Sequence, residues 1–326
     1  MSSDRIVQEL RWDPVLGEWV MVSNVRELRP WHPEGFCPFC PGTPETGHGW
    51  DVLILNNKYP ILSEEPPKLR PHKFFKNAPS YGKNYIVVET PKHDLDDLSD
   101  LTVEEIRKVI TYVIDKYIEE LSDKRSVYFL YFRNKGKEVG VSLTHPHSQI
   151  YVLPFIPTKV RRELTNALNH FKRYGRCLFC DLIDAEVSDK ERIILKSSHW
   201  IAFIPYYAHW PFEVHIYPLK HINTLNQVNE VMAEDLAYVL KKVLCGVKNI
   251  FENPMPYTMV LHQAPMRGHY SYYHLHIEIY GMYRTSGRLK YAAGVESGAG
   301  NFTYDDTPEE AASILRDTIE RKCVIQ

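Results

Sequence analysis

The chain of 326 residues carries 39 Lys and Arg against 41 Asp and Glu, with 44% hydrophobic and 25% charged residues. That is the composition of an ordinary globular protein, long enough for about two domains of roughly 150 residues each. A formal charge of −2 speaks against the basic face of a general nucleic-acid binder. The longest stretch without Asp, Glu, Lys or Arg, residues 139–158, holds two His, three Pro and a Gln, so no membrane helix is expected. Met1 to Leu10 carries Asp4, Arg5 and Glu9 and no apolar centre, so neither a secretory signal nor a transit peptide is expected and the cytosol is the expected setting.

Taken in chain order, Arg11 to Trp31 predicts one strand, with Trp19, Met21 and Val22 as its apolar positions and an Arg-rich, Pro-terminated turn at its end. From Phe36 a pattern begins that later recurs. The first copy runs Cys37-Pro-Phe-Cys40, an apolar stretch at Asp51 to Leu55, a Lys-Tyr-Pro turn, a strand at Tyr85 to Glu89, and Lys92-His93. Thr102-Val-Glu-Glu105 is a capping box opening a helix. Ile106, Val109, Ile110, Val113, Ile114 and Tyr117 form its single apolar face. A strand at Val127 to Arg133 and the segment Thr144-His-Pro-His-Ser-Gln149 complete the copy.

The second copy runs Cys177-Leu-Phe-Cys180, strands at His199 to Pro205 and Glu213 to Pro218, Lys220-His221, a helix at Met232 to Phe251, a strand at Tyr257 to His262, and His274-Leu-His-Ile-Glu278. From the second Cys to the lone His is 53 residues in the first copy and 41 in the second; from that His to the paired histidines it is 52 and 53. The shared order and the matching last interval predict two copies of one α+β unit, residues 1–160 and 161–326. An amphipathic stretch, Thr158 to Tyr174, joins them, and a second capping box, Thr307-Pro-Glu-Glu310, opens a C-terminal helix.

Each Cys-x-x-Cys offers two thiolates on one tight turn, and histidines tens of residues later complete a tetrahedral zinc set. Cys37, Cys40, His93 and His145 form one such set; Cys177, Cys180, His221 and His274 form the other. Both are closed and therefore structural, so two zinc ions per chain are expected. Cys245 and Cys323 are left over and read as buried small apolar residues or inert thiols. His209, His215 and His262 read as hydrogen-bonded, partly buried histidines, Tyr270 to Tyr273 as packing beside His274, and the run Asp94 to Asp100 as solvated charge complementing a helix dipole.

His145, His147 and Gln149 are spaced by two, so on an extended strand they share a face. A neutral imidazole is a good nucleophile toward phosphorus, and the Gln149 amide donates to a phosphate oxygen without adding negative charge. His276 and Glu278 hold the matching positions in the second copy. A carboxylate there repels phosphate, so one copy is expected to react and the other to support it.

Asn134-Lys-Gly, Gly140-Val-Ser142 and His145-Pro-His-Ser-Gln149, with RWDPVLGEWVMVS before them and HLHIEIYGMYR after them, resemble the galactose-1-phosphate uridylyltransferase family, in the nucleotidylyltransferase branch of the histidine-triad superfamily. The resemblance implies tandem histidine-triad-like units, each an antiparallel sheet with flanking helices, and a homodimer. It implies a ping-pong reaction in which His147 takes a uridylyl group from UDP-glucose and passes it to galactose 1-phosphate. Gln149 and Ser142, in the run that begins at Gly140, would bind phosphoryl oxygens. Asn57 would lie near base and ribose and Asn134 near the nucleotide phosphates. Arg26 and Arg29 match positions that bind phosphorylated substrate, and Lys290, Tyr291 and Glu296 match the segment that handles the hexose. Relatives that lack a second Cys pair place a metal on positions matching Glu163, His262 and His276, with Glu278 where a His is usual; this is the alternative to Cys177 and Cys180. Relatives with two zinc sites include adenylyltransferases acting on ADP-glucose, which is the alternative reaction. A zinc-stabilised nucleotide-binding module without turnover is the reading from a different class.

Overall fold

The turn Asp13-Pro-Val-Leu-Gly17 folds the N-terminal segment back on itself in the computed structural model, which describes residues 6–25 and 37–324. The Asp13 carboxylate accepts from the amides of Val15 and Leu16, at 2.7 and 3.1 Å, and Gly17 takes the left-handed conformation (φ +68°) that closes the turn. The expected single strand is therefore a hairpin, β1 (Gln8–Asp13) and β2 (Glu18–Ser23), paired Asp13 to Glu18. Alternating apolar residues on both sides of the Pro and Gly concealed the break. Arg26 and Arg29 lie outside the described residues.

The rest of the first copy comprises β3 (Leu53–Asn56), β4 (Asn77–Pro79), β5 (Lys83–Val88), α1 (Val103–Glu120), β6 (Tyr128–Lys135) and β7 (His147–Leu153). The capping box at Thr102 and Glu105 forms as expected, and all six predicted apolar side chains of α1 are buried, each stabilising by roughly 2 kcal/mol. β4 joins the hairpin in a three-stranded sheet of order β2-β1-β4. The acidic run is not simply solvated: Asp97 is fully buried and caps a short turn, while Lys248 pairs with Asp100 at 2.8 Å and Lys135 with Asp96 at 2.6 Å.

The joining stretch is α2 (Thr158–Tyr174), closed by Gly175 in the left-handed region. It is followed by α3 (Leu178–Asp189), β8 (Ile193–Lys196), β9 (Trp200–Phe203), β10 (Val214–Pro218), α4 (Glu230–Lys248), β11 (Tyr257–His262), β12 (His276–Gly281), β13 (Tyr283–Thr285), β14 (Arg288–Leu289) and α5 (Pro308–Lys322). The helix α3 was not expected. Cys177-Leu-Phe-Cys180 lacks the prolines that flank Phe39 in the first copy, so this turn continues into a helix with Cys177 at its start. Thr307 caps α5 as predicted, but its own amide is taken by Asp306 rather than by Glu310, so the box is not reciprocal.

Nine antiparallel strands form one sheet in the order β3-β5-β7-β6-β11-β12-β10-β9-β8. Read outward from the seam between β6 and β11, the order 6-7-5-3 on one side matches 11-12-10-9 on the other, so the duplicated sequence pattern becomes a duplicated sheet. The two α-helices α1 and α4 share one face of it, over Tyr85, Val87, Ile150, Val152, Val214, Ile216 and Ile277. Alternate residues point to the opposite face. There, α2 and α3 cover the second half through Val160, Leu164, Phe179 and Ile183, which pack with Ile201, Phe203 and Tyr217.

Cys245 of α4 and Cys323 at the end of α5 form a disulfide. The reading of these two as unlinked thiols is corrected: 78 residues separate them in sequence, and the packing of α5 on α4 is what brings them together.

Candidate active site and metal centres

β7 begins at His147, and its burial alternates: Ser148, Ile150 and Val152 face the core, His147 and Gln149 the partly open side. His145 precedes the strand, is fully buried, and turns into a cluster with Cys37, Cys40 and His93 instead of sharing the His147 face. Its Nε2 donates to the Thr90 carbonyl at 2.8 Å. A carbonyl only accepts, so the proton is on Nε2 and the Nδ1 lone pair faces the cluster.

The ligand atoms of Cys37, Cys40, His93 and His145 all lie within 4.8 Å of one another. The Cys40 Sγ to His93 Nδ1 distance is 3.3 Å, Cys37 Sγ to His145 Nδ1 3.7 Å, and His93 Nδ1 to His145 Nδ1 3.3 Å. A zinc tetrahedron with bonds of about 2.3 Å to sulfur and 2.0 Å to nitrogen has S–S, S–N and N–N edges of roughly 3.8, 3.5 and 3.3 Å. The donor set fits the ion. Burial also holds the His145 imidazole below its ordinary pKa, which favours the neutral ligand form.

Cys177, Cys180, His221 and His274 repeat the arrangement, with Cys180 Sγ at 3.3 Å from His221 Nδ1 and 3.6 Å from His274 Nδ1. His274 Nε2 donates to the Pro218 carbonyl at 3.0 Å, the counterpart of the His145 contact. Glu163, His262, His276 and Glu278 form a third group. The two sets named as alternatives in the sequence are thus both assembled and share no residue. The third group is different in kind. Glu278 is ion-paired with the Lys159 ammonium and accepts from the Tyr280 hydroxyl, so a cation already occupies its charge. Burial would raise the Glu163 carboxyl, but the His262 imidazole at 3.1 Å holds it down at about 2.

His147 donates its Nδ1 proton to the carbonyl of His145 at 2.8 Å, which puts the lone pair on Nε2. With Gln149 and Ser142 it lines a cavity of about 240 Å³, walled by Pro38, Phe39, Leu55, Tyr59, Ile86 and Leu143 and edged by Glu45, Asn56, Asn57 and Lys58. The Phe39 ring sits 5.3 Å from that of His147, so the turn carrying Cys37 and Cys40 supplies a wall. A larger hollow of about 880 Å³ lies between β1 and residues 67–77, and its lining among the described residues includes none of the predicted site residues. His276 mirrors His147, donating to the His274 carbonyl at 3.0 Å, but it is 1% exposed and covered by Phe179 at 5.2 Å.

Of the predicted substrate residues, Asn57, Ser142, His147 and Gln149 meet in this cavity. Gly140 ends the preceding turn at φ +80°. Asn134 lies on the central seam and accepts from Thr258 at 3.1 Å. Lys290 is buried against the Thr303 carbonyl at 2.6 Å, and Glu296 accepts from the Thr303 hydroxyl at 2.7 Å, so both hold their own loop, while Tyr291 is exposed. Phe39, Glu45, Lys58 and Ile86 were not singled out in the sequence. Only the position of Phe39 between two ligands was a usable signal.

A family model described as galactose-1-phosphate uridyl transferase, N-terminal domain, matches residues 1–157, and its C-terminal counterpart matches residues 163–323. A galactose-1-phosphate uridylyltransferase of Thermotoga maritima is 34% identical over 318 residues, covering 96% of this chain and 99% of that protein. A solved structure described as a uridylyltransferase superposes with a TM-score of 0.92 at 48% identity, over 97% of this chain and all of the other. An ADP-glucose phosphorylase from Arabidopsis thaliana with bound ADP-glucose gives 0.74 at 27% identity, over 94% and 98% of the two chains.

Proposed function

The chain belongs to the galactose-1-phosphate uridylyltransferase family, and from that premise we propose that it exchanges UDP-glucose and galactose 1-phosphate for glucose 1-phosphate and UDP-galactose through a uridylyl group carried on His147. The observation that carries this reading is the His147 tautomer: a carbonyl holds Nδ1–H, and the nucleophilic lone pair is on Nε2 in a cavity that also holds Gln149 and Ser142. Nε2 attacks the α-phosphorus of UDP-glucose, the bond to the β-phosphate oxygen breaks, and glucose 1-phosphate leaves with the electron pair. A phosphate oxygen of galactose 1-phosphate then attacks the same phosphorus and the P–N bond breaks. Gln149 and Ser142 steady the non-bridging oxygens as charge grows on them.

Thiolate pairs suit zinc better than carboxylates do, and the Glu278 site already holds an ammonium. We therefore assign two zinc ions, on Cys37, Cys40, His93, His145 and on Cys177, Cys180, His221, His274, each fixing a loop and a strand end. The duplicated sheet supports two tandem histidine-triad-like units meeting near residue 160; the homodimer rests on the family resemblance alone. The substrates are a sugar nucleotide and a hexose 1-phosphate, with no nucleic acid. No helix among the described residues is long and apolar enough to cross a membrane, and the setting is read as cytoplasmic.

Adenylyl transfer from ADP-glucose is the second reading, favoured by the 0.74 superposition on the Arabidopsis enzyme. UDP-glucose and ADP-glucose radiolabelled in the α-phosphate separate the two. Acid-labile label from UDP-glucose that is absent in His147→Asn is the expected result. Label from ADP-glucose alone establishes the second reading, and label from neither, with nucleotide still bound, leaves a binding module.

A further inference from the structure

The cavity beside His147 has two polar ends. One is His147, Gln149 and Ser142; the other is an ion pair, Lys58 Nζ to Glu45 Oε1 at 2.6 Å. Between them lie the apolar faces of Phe39, Leu55, Tyr59, Ile86 and Leu143, with Asn56 and Asn57 also at the edge.

The ion pair is not there for stability. Lys58 is 61% exposed and Glu45 22%, and an exposed pair of this kind contributes roughly 0–1 kcal/mol. Yet its backbone is fixed with care. Thr43 and Thr46 are buried with their hydroxyl oxygens 2.9 Å apart, and they donate to the carbonyls of Pro38 and Cys40 at 2.9 and 2.6 Å. The Gly42 amide closes the turn on the Gly47 carbonyl at 2.6 Å. Glu45 therefore stands on a rigid extension of the turn carrying Cys37 and Cys40. Lys58 occupies Oε1, and Oε2 has no other hydrogen-bond donor among the described residues.

A carboxylate beside a phosphate is repelled, so this end of the cavity cannot serve the diphosphate. The apolar wall suits the faces of a base. Both sugars of a sugar nucleotide carry neighbouring hydroxyls, but the one joined to the base is the ribose, whose 2′ and 3′ hydroxyls are two donors spaced for one carboxylate, with Lys58 as a donor to their oxygens.

We propose that Glu45, oriented by Lys58, reads the ribose hydroxyls of the nucleotide donor and is the residue that selects ribonucleotide over deoxyribonucleotide substrates. The proposal rests on the reading of this cavity as the donor site but not on which base it takes, because uridine and adenosine share the ribose.

The test compares wild type, Glu45→Gln and Lys58→Met, all metal-loaded, with UDP-glucose and its 2′,3′-dideoxy analogue, galactose 1-phosphate being the acceptor. For wild type the ribose substrate should be favoured about ten- to a hundred-fold, the value of hydrogen bonds to a charged group. In Glu45→Gln that ratio should fall toward one through a higher KM for UDP-glucose alone, with kcat within about threefold; Lys58→Met should show a smaller change in the same direction. Equal losses on both donors, an unchanged ratio, or an altered preference between uracil and adenine with ribose selection intact would each overturn it. Should wild type use only ADP-glucose, the ADP-glucose pair of substrates replaces the UDP pair. Should it turn over neither, calorimetric affinities for UDP and 2′,3′-dideoxy-UDP in wild type and Glu45→Gln give the same ratio, so failure of the reaction assignment is distinguishable from failure of this one.

Discussion

His147 hangs from the backbone of His145: its Nδ1–H is donated to that carbonyl at 2.8 Å, while the His145 imidazole is itself one of four clustered Cys and His side chains that could hold a metal ion. The tautomer of the proposed nucleophile is thus set by a backbone position that the Cys37, Cys40, His93 and His145 cluster fixes. Replacing His147 by Asn or Gly should lower kcat by at least about 10⁴-fold, as loss of a nucleophile does elsewhere, and abolish acid-labile labelling. The melting temperature should change little, because the ring lines a cavity instead of packing in the core. Retained labelling in either variant would place the covalent bond on another residue.

The two proposed zinc sites should fail differently. In Cys37→Ser with Cys40→Ser the turn carrying Phe39 is released, and Phe39 is 5.3 Å from the His147 ring. Labelling should be lost even where the protein stays folded. In Cys177→Ser with Cys180→Ser the loss falls on the buried half beneath α2 and α3, and the expected effect is destabilisation by several kcal/mol with labelling retained in whatever remains folded. Metal analysis of wild type should give two zinc per chain and each double variant one. A single metal in wild type would refute the assignment.

Much of this site was legible from spacing. The two Cys pairs, the lone histidines and the paired histidines repeat in order, and the sheet repeats with them, so ligands scattered over more than a hundred residues of sequence were assignable to two groups. Other features carried no periodic signal. The hairpin at Asp13 to Gly17 was hidden because strand alternation continues across it. Glu45 and Lys58 reach the cavity from two unrelated turns, and nothing in either turn announces the other. The expectation that the second copy does not react rested on the charge of Glu278 alone. The structure adds a steric reason, since α2 and α3 cover that half of the sheet and leave His276 only 1% exposed.

The Cys245–Cys323 disulfide ties α5 to α4 across 78 residues of sequence. By constraining the unfolded chain, a link of that length typically contributes about 2–4 kcal/mol. Cys323→Ser, or reduction of wild type, should lower the denaturant midpoint correspondingly. Labelling of His147 at room temperature should be unaffected, because neither cysteine lines its cavity. Equal midpoints with and without reductant would mean that the link does not form in the purified protein.

Acid stability should depend on Glu213. Its carboxylate is 1% exposed and accepts from the amides of His209 and Trp210, at 2.7 and 2.9 Å, and from His215 Nε2 at 2.8 Å. Burial alone would raise its pKa, but the imidazoles of His209 and His215 outweigh burial and hold it at about 2, down from 4.5. Because the folded value lies below the unfolded one, the stabilisation is fully present above about pH 4.5 and is lost as the pH falls through 4.5 toward 2. A shift of that size corresponds to about 3 kcal/mol. Glu213→Gln keeps the shape but not the charge, so it should be less stable than wild type at pH 7 and show a flatter fall in stability between pH 4.5 and 2. Chemical denaturation at a series of pH values reads both. Parallel acid limbs for the two proteins would mean that the carboxylates responsible for acid unfolding lie elsewhere in the fold.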